Sequence, residues 1–210
     1  MKLRISIFMM FALSFRVLSQ DFQPDLSQWD IGILRKAKTS SFSLFTPNKS
    51  GQVNFYCNLA RMDGTLFVQS ILLPYLESKG DTDLSDFYKS SLIADLNRLP
   101  QLKPLRSSLI LNFMAKSYAK KSGKEGIIGH SGFDQRFWLL ERLGRTVGEN
   151  CAYYGKENSL DVVIELLIDA GVENLGHRRN ILSPTFTRVG NGFFLHRVYD
   201  KVWVMEFSGQ

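Results

Sequence analysis

The sequence is poor in the residues that most often announce chemistry. Among 210 residues there are two cysteines and three histidines. Two cysteines exclude a disulfide-dense mini-protein and a four-cysteine zinc site. No run approaches the ~18 uninterrupted apolar residues that argue for a membrane-spanning helix. Acid is also in short supply, with 26 Lys and Arg against 20 Asp and Glu, a formal charge of +6. No internal repeat or low-complexity tract is visible. What remains is ordinary: 44% hydrophobic and 22% charged residues, enough chain and enough apolar side chain to bury a core without staples.

Part of the basic excess lies at the N-terminus. Lys2 and Arg4 precede an apolar run of 11 residues, Ile5 to Phe15, followed by Arg16, Val17 and the small Ser19. The run is too short to span a bilayer. A basic start, a short apolar centre and a small residue at the end are the three parts of a secretory signal. We expect residues 1–19 to be a signal peptide cleaved after Ser19, with no transmembrane segment afterwards and secretion to an extracellular or periplasmic space. The alternative is an N-terminal amphipathic or core helix. Cleavage would remove Lys2, Arg4 and Arg16 and no acid, lowering the net charge from +6 to +3. The cluster Lys116, Lys120, Lys121 and Lys124 reads as a solvated helix end favoured by the helix dipole. It lacks interleaved aromatics and a companion motif, so no nucleic-acid partner is expected.

Residues 20–50 are polar and turn-rich and read as an N-terminal extension. Helical spacing predicts a helix from about Gly51, capped by Ser50, and another over Leu84–Leu96. A third is expected over Arg106–Lys121, burying Ile110, Phe113, Met114, Ser117 and Tyr118 and stopped by Gly123. Shorter helices are expected from Asp134 to Leu143 and from Ser159 to Ala170, with Gly171 just past the end. Strands are expected late, over 145–154, 189–198 and 202–207, with a turn at Tyr199–Lys201. Helices flanking a small antiparallel sheet give the α+β class. Trp138, Trp203 and Phe207 read as core, and His196 as a surface or packing histidine.

The candidate site residues are few. His130 and His177 each follow a glycine, in Gly129-His130-Ser131-Gly132 and Gly176-His177-Arg178-Arg179. Glu149 opens a predicted strand and Asp169 ends a predicted helix. Imidazole nitrogens and carboxylate oxygens are usual zinc ligands. The spacings of 19, 20 and 8 residues along His130, Glu149, Asp169 and His177 say nothing by themselves about convergence, and hydrogen-bonded turn histidines remain the alternative. Asn150 and Asn180 read as residues that hold loops. Cys57 and Cys151 are a candidate disulfide if the chain is exported, against two buried thiols.

Five short motifs occur in one order: Asn58–Arg61 (NLAR), Ala115–Ala119 (AKSYA), Gly129-His130-Ser131, Gly148-Glu149-Asn150, and Gly176–Leu182 (GHRRNIL) followed by Thr187–Gly190. In that order they resemble the CAP superfamily, or SCP domain, of cysteine-rich secretory, antigen five and pathogenesis-related proteins, and are most similar to its bacterial branch. The resemblance covers residues 51–210, with an elaborated helical segment near 77–104. It implies an α–β–α sandwich with a central cleft. It implies that His130, Glu149 and His177 match three members of a cleft tetrad, with Asp169 where a glutamate is usual and Glu165 one turn earlier as a substitute. It further implies a secreted binding protein for a divalent metal such as zinc on His130 and His177, or for a lipid, another small molecule or an extracellular protein. The alternatives are a zinc-dependent hydrolase with Glu149 as general base, and a structural surface domain with a degenerate cleft.

Overall fold

The computed structural model describes residues 22–39, 49–153, 155 and 158–210. The expected signal peptide, Met1 to Ser19, lies outside the described residues. In chain order the elements are α1 (Ile31–Ala37), α2 (Lys49–Met62), α3 (Gly64–Phe67), a π-helical turn (Val68–Leu72), α4 (Leu73–Ser78), α5 (Phe87–Arg98), β1 (Arg106–Ser107), α6 (Leu109–Glu125), α7 (Phe133–Arg142), β2 (Val147–Tyr153), α8 (Ser159–Ile168), α9 (Gly176–Leu182), β3 (Phe186–His196) and β4 (Asp200–Gly209). The class is α+β. The sheet order is β1-β3-β4-β2. β4 pairs antiparallel with β2 and β3, while the two-residue β1 runs parallel to β3.

Side chains of period two divide the sheet into two faces. Ala152, Trp203, Met205 and Phe207 join the large core with α2 and α8 residues such as Val53, Cys57, Val163 and Leu167. Cys151, Val202 and Val204 point the other way, onto Ala115, Tyr118 and Ala119 of α6. The sheet is therefore filled between helices on both sides, the expected sandwich. Cys57 and Cys151 belong to opposite faces and are unbonded buried thiols. The candidate disulfide is thus corrected: the pleat that places Cys151 over α6 turns it away from α2.

Several element boundaries and faces also differ from expectation. Ser50 sits inside α2. Asp86 caps α5, which begins at Phe87. Gly132, in a left-handed conformation, precedes α7 where Asp134 was the expected cap. Asn158 caps α8, which ends at Ile168 with Asp169 left-handed at φ 60°. The turn between β3 and β4 falls on Arg197–Tyr199, before Asp200. The largest departure is α6. Its buried stripe is Leu111, Ala115, Tyr118, Ala119, Ser122 and Gly123, and it ends at the left-handed Gly126 rather than at Gly123. Ile110 and Phe113 are 65% and 73% exposed. A Cβ at Gly190 would fall onto the backbone of Leu111 and Asn112, and one at Gly192 onto that of Ala115 and Lys116. The two glycines let the helix backbone lie directly on β3, so α6 seats Ala115 and Ala119, with Leu111 and Tyr118 beside them, against the sheet and leaves Ile110 and Phe113 outside.

Two of the quoted motifs prove to be clamps. Asn58 donates to the carbonyls of Ala37 and Leu105 at 3.0 and 3.1 Å and accepts the Leu105 N–H at 2.7 Å. Arg61, 1% exposed, donates to the carbonyls of Lys103, Ile181, Ser183 and Phe186. Arg178, equally buried, donates to the carbonyls of Leu167, Ile168 and Tyr88 and pairs with Asp95 at 2.9 Å. These guanidinium groups satisfy buried carbonyls in loops and at the ends of helices and strands that the core would otherwise leave unpaired.

Candidate functional site

The loop before α7 carries His130. Gly129 has φ 85° and Gly132 φ 69°, so the backbone turns sharply on both sides of the histidine. Tyr118 donates to the Gly129 carbonyl at 2.6 Å, and the Gly129 N–H donates to the Tyr153 hydroxyl at 2.9 Å. Thus fixed, His130 places Nδ1 2.8 Å from Oε1 of Glu149. Glu149 lies on β2, on the α6 face of the sheet. Its side chain is 1% exposed, whereas that of His130 is 50% exposed.

His177 forms a second, similar pair. The second glycine does not make its turn: Leu175 takes the left-handed conformation at φ 50°. Asp169, on the turn after α8, accepts the backbone N–H groups of His177 and Arg178 through Oδ2 at 2.9 and 3.1 Å. Its Oδ1 lies 2.7 Å from His177 Nδ1. The shorter aspartate reaches its partner because the left-handed backbone brings the side chain back over the start of α9. The two pairs are joined through β2 and α9. Asn150, next to Glu149, donates to the His177 carbonyl at 3.0 Å, and Asn180 donates to the Glu149 carbonyl at 3.2 Å and to Asn150 Oδ1 at 2.8 Å. Both asparagines were expected to hold loops; instead they tie α9 directly to β2.

Two members of the site were missed by sequence reasoning. Arg136 donates to both Glu149 oxygens, at 2.6 and 3.0 Å, and to Glu206 Oε1 at 2.6 Å. Its guanidinium carbon stands 3.8 Å over the Tyr118 ring. Glu206 pairs with Glu149 across β2 and β4 and is fully buried. The signals were a charge on the apolar stripe Phe133, Arg136, Phe137, Leu140 and an acid inside the apolar strand VWVMEF. Burial opposes ionisation of Glu149, but hydrogen bonds from His130 and Arg136 overcome it and hold the carboxyl below its usual range. Burial and the Glu149 charge push Glu206 the other way, to about 8, with Arg136 only partly offsetting them. The pair therefore divides into one ionised and one protonated carboxyl at neutral pH. Arg136 Nε and Glu206 Oε2 are buried without a hydrogen-bond partner.

His130, Glu149 and Cys151 bring ligand-type atoms within 4.8 Å of one another, close enough for one metal ion. His177 and Asp169 stand outside that group. His196 is a packing residue: it is 4% exposed, with Nε2 3.0 Å from the Ile127 carbonyl and Nδ1 accepting from Val198 and Tyr199. Trp203 and Phe207 are core, but Trp138 is 54% exposed, with Arg142 against its ring, and is corrected to a surface residue.

The sequence model of the family described as CAP, the cysteine-rich secretory protein family, matches residues 92–207, more than half of the chain. YkwD of Bacillus subtilis is 28% identical over 114 residues, which are 52% of this chain and 41% of that protein. The chain thus spans less than half the length of this relative. Among solved structures, an extracellular protein containing an SCP domain from Bacillus anthracis is 21% identical with a TM-score of 0.42, covering 59% of this chain and 39% of that one. An outer surface protein of Borrelia burgdorferi has the same identity and TM-score, covering 61% of this chain and 92% of that one. No helix among the described residues is long and apolar enough to cross a membrane.

Proposed function

The chain belongs to the cysteine-rich secretory protein family, CAP, and we propose that it is an exported binding protein whose two histidine–carboxylate pairs face one cleft and hold a divalent cation such as zinc. Export rests on the basic, apolar and small-residue pattern of Met1 to Ser19, with the mature chain beginning at Gln20. Intact mass of the secreted form checks that start.

One observation carries the metal reading. Each histidine turns Nδ1 onto a carboxylate oxygen, at 2.8 and 2.7 Å. An ionised carboxylate accepts only, so Nδ1 carries the proton, and in the neutral imidazole Nε2 then keeps its lone pair. This is the usual arrangement of a metal-ligating histidine and its supporting acid. In this reading His130 and His177 would ligate through Nε2, with Glu149 and Asp169 behind them. A zinc ion held there would supply Lewis acidity and a fixed positive charge. The group of His130, Glu149 and Cys151 fits less well. Both Glu149 oxygens already accept from Arg136, whose positive charge opposes a cation beside it. Burial and the Glu149 charge also raise the Cys151 thiol well above its usual range.

The same saturation supports binding over hydrolysis. A general base needs an oxygen free to take a proton from water, and Glu149 is buried with both oxygens engaged. Calorimetric zinc titration of wild type, His130→Ala and His177→Ala tests the reading. The expected result is about one zinc per chain for wild type and at least about a ten-fold loss of affinity in each variant. Equal binding by all three would reject the site. Affinity should fall as pH drops, because protons compete for the imidazole nitrogens.

A further inference from the structure

We propose that the outer face of α6 is a docking surface for anionic lipid membranes. The argument begins with its rotation. Leu109, Ile110 and Phe113 are 78%, 65% and 73% exposed. Single exposed hydrophobic side chains are ordinary, but three large ones on the first turn and a half of one helix are a patch. Half of the large exposed hydrophobic residues among the described residues fall on α6, α7 and the loop and turn beside them.

Charge follows the patch. α6 carries four lysines, Lys116, Lys120, Lys121 and Lys124, against one acid, Glu125 at its end. At 100° per residue, Leu109, Phe113, Lys116, Lys120 and Lys124 lie within an arc of about 80°, spread over about 22 Å of helix. One strip is therefore apolar at its N-terminal end and basic beyond it. The opposite face of α6 is committed to β3 and β4 through Leu111, Ala115, Tyr118 and Ala119, so the strip is fixed on the surface.

This chemistry fits an anionic bilayer. Apolar side chains enter the boundary between headgroups and acyl chains, and lysines extend their stems to reach lipid phosphates. Each lysine near such a surface strengthens binding by about five-fold. A second copy of the chain is the poorer occupant, because pairing the strips in parallel would set lysine rows against each other, and full antiparallel overlap would set each lysine row against apolar side chains. The docking surface does not depend on the metal site.

The test uses the full chain with Ser117→Cys, on the same exposed face, labelled with a polarity-sensitive fluorophore. Cys57 and Cys151 are buried and escape labelling. Vesicles of phosphatidylglycerol and phosphatidylcholine should raise and blue-shift the emission, and salt should reverse it. Pure phosphatidylcholine should give little response. Adding Lys116→Gln and Lys120→Gln should weaken partition about twenty-fold with unchanged circular dichroism. The proposal is overturned by no response to anionic vesicles, by equal response to both lipids, or by unchanged partition of the lysine variant. It is also overturned if the emission shift needs no vesicles and grows with protein concentration, since the face would then be covered by a second copy.

Discussion

Glu206 shows how one buried acid sets the pH response of the protein. Its carboxyl is raised from 4.5 to about 8, first by burial and then by the charge of Glu149. The folded protein thus holds a proton that the unfolded chain has lost, and stability falls as pH rises from 4.5 to about 8. Glu206→Gln mimics the protonated acid and still accepts from Arg136. It should match wild type near pH 4.5 and exceed it above pH 8, by up to a few kcal/mol, read from denaturant midpoints across pH. Identical pH profiles would refute the raised acid. Glu149 works in the opposite direction: its lowered carboxyl stabilises the fold above 4.5 and that contribution is lost as pH falls through its folded value. Sequence reading singled out His130, Glu149, Asp169 and His177 as residues in turns and at element ends, and only the family resemblance grouped them into one set. It missed Arg136 and Glu206, because a lone charge on an apolar stripe looks like a solvated residue until its partner across the sheet is known.

At the scale of elements, α6 on β3 is the contact that shapes the molecule. The helix itself was legible, but its face was not. Counting large apolar residues favours Ile110 and Phe113, whereas the close approach at Gly190 and Gly192 seats the Leu111 and Ala115 stretch of backbone on the sheet and fixes which face is buried. Gly190→Ala should cost about 1–3 kcal/mol, because the helix backbone of Leu111 and Asn112 resists the added methyl; a urea midpoint within error of wild type would contradict the close approach. The NLAR motif is similar in kind. Arg61→Ala would strand four carbonyls of loops and element ends and should lower stability by about 3 kcal/mol or more, measured by thermal or urea unfolding. Among the elements that escaped notice, α1, β1 and α9, with seven, two and seven residues, are too short to show a period.

For the whole molecule, the sandwich follows from strands that are apolar on both faces. β4 buries Val202 and Val204 on one side and Trp203, Met205 and Phe207 on the other, so helices must cover each. That covering brings the loop of His130, the strand of Glu149 and the start of α9 into one hydrogen-bonded network. The central claim is that two imidazoles, each steadied by a carboxylate, hold a metal through Nε2. X-ray absorption at the zinc edge on the loaded full-length chain tests it most directly. The account predicts two imidazole nitrogens at about 2.0–2.1 Å and no sulfur neighbour. A sulfur at about 2.3 Å would move the ion to Cys151, and a chain that retains no stoichiometric zinc would contradict the claim outright.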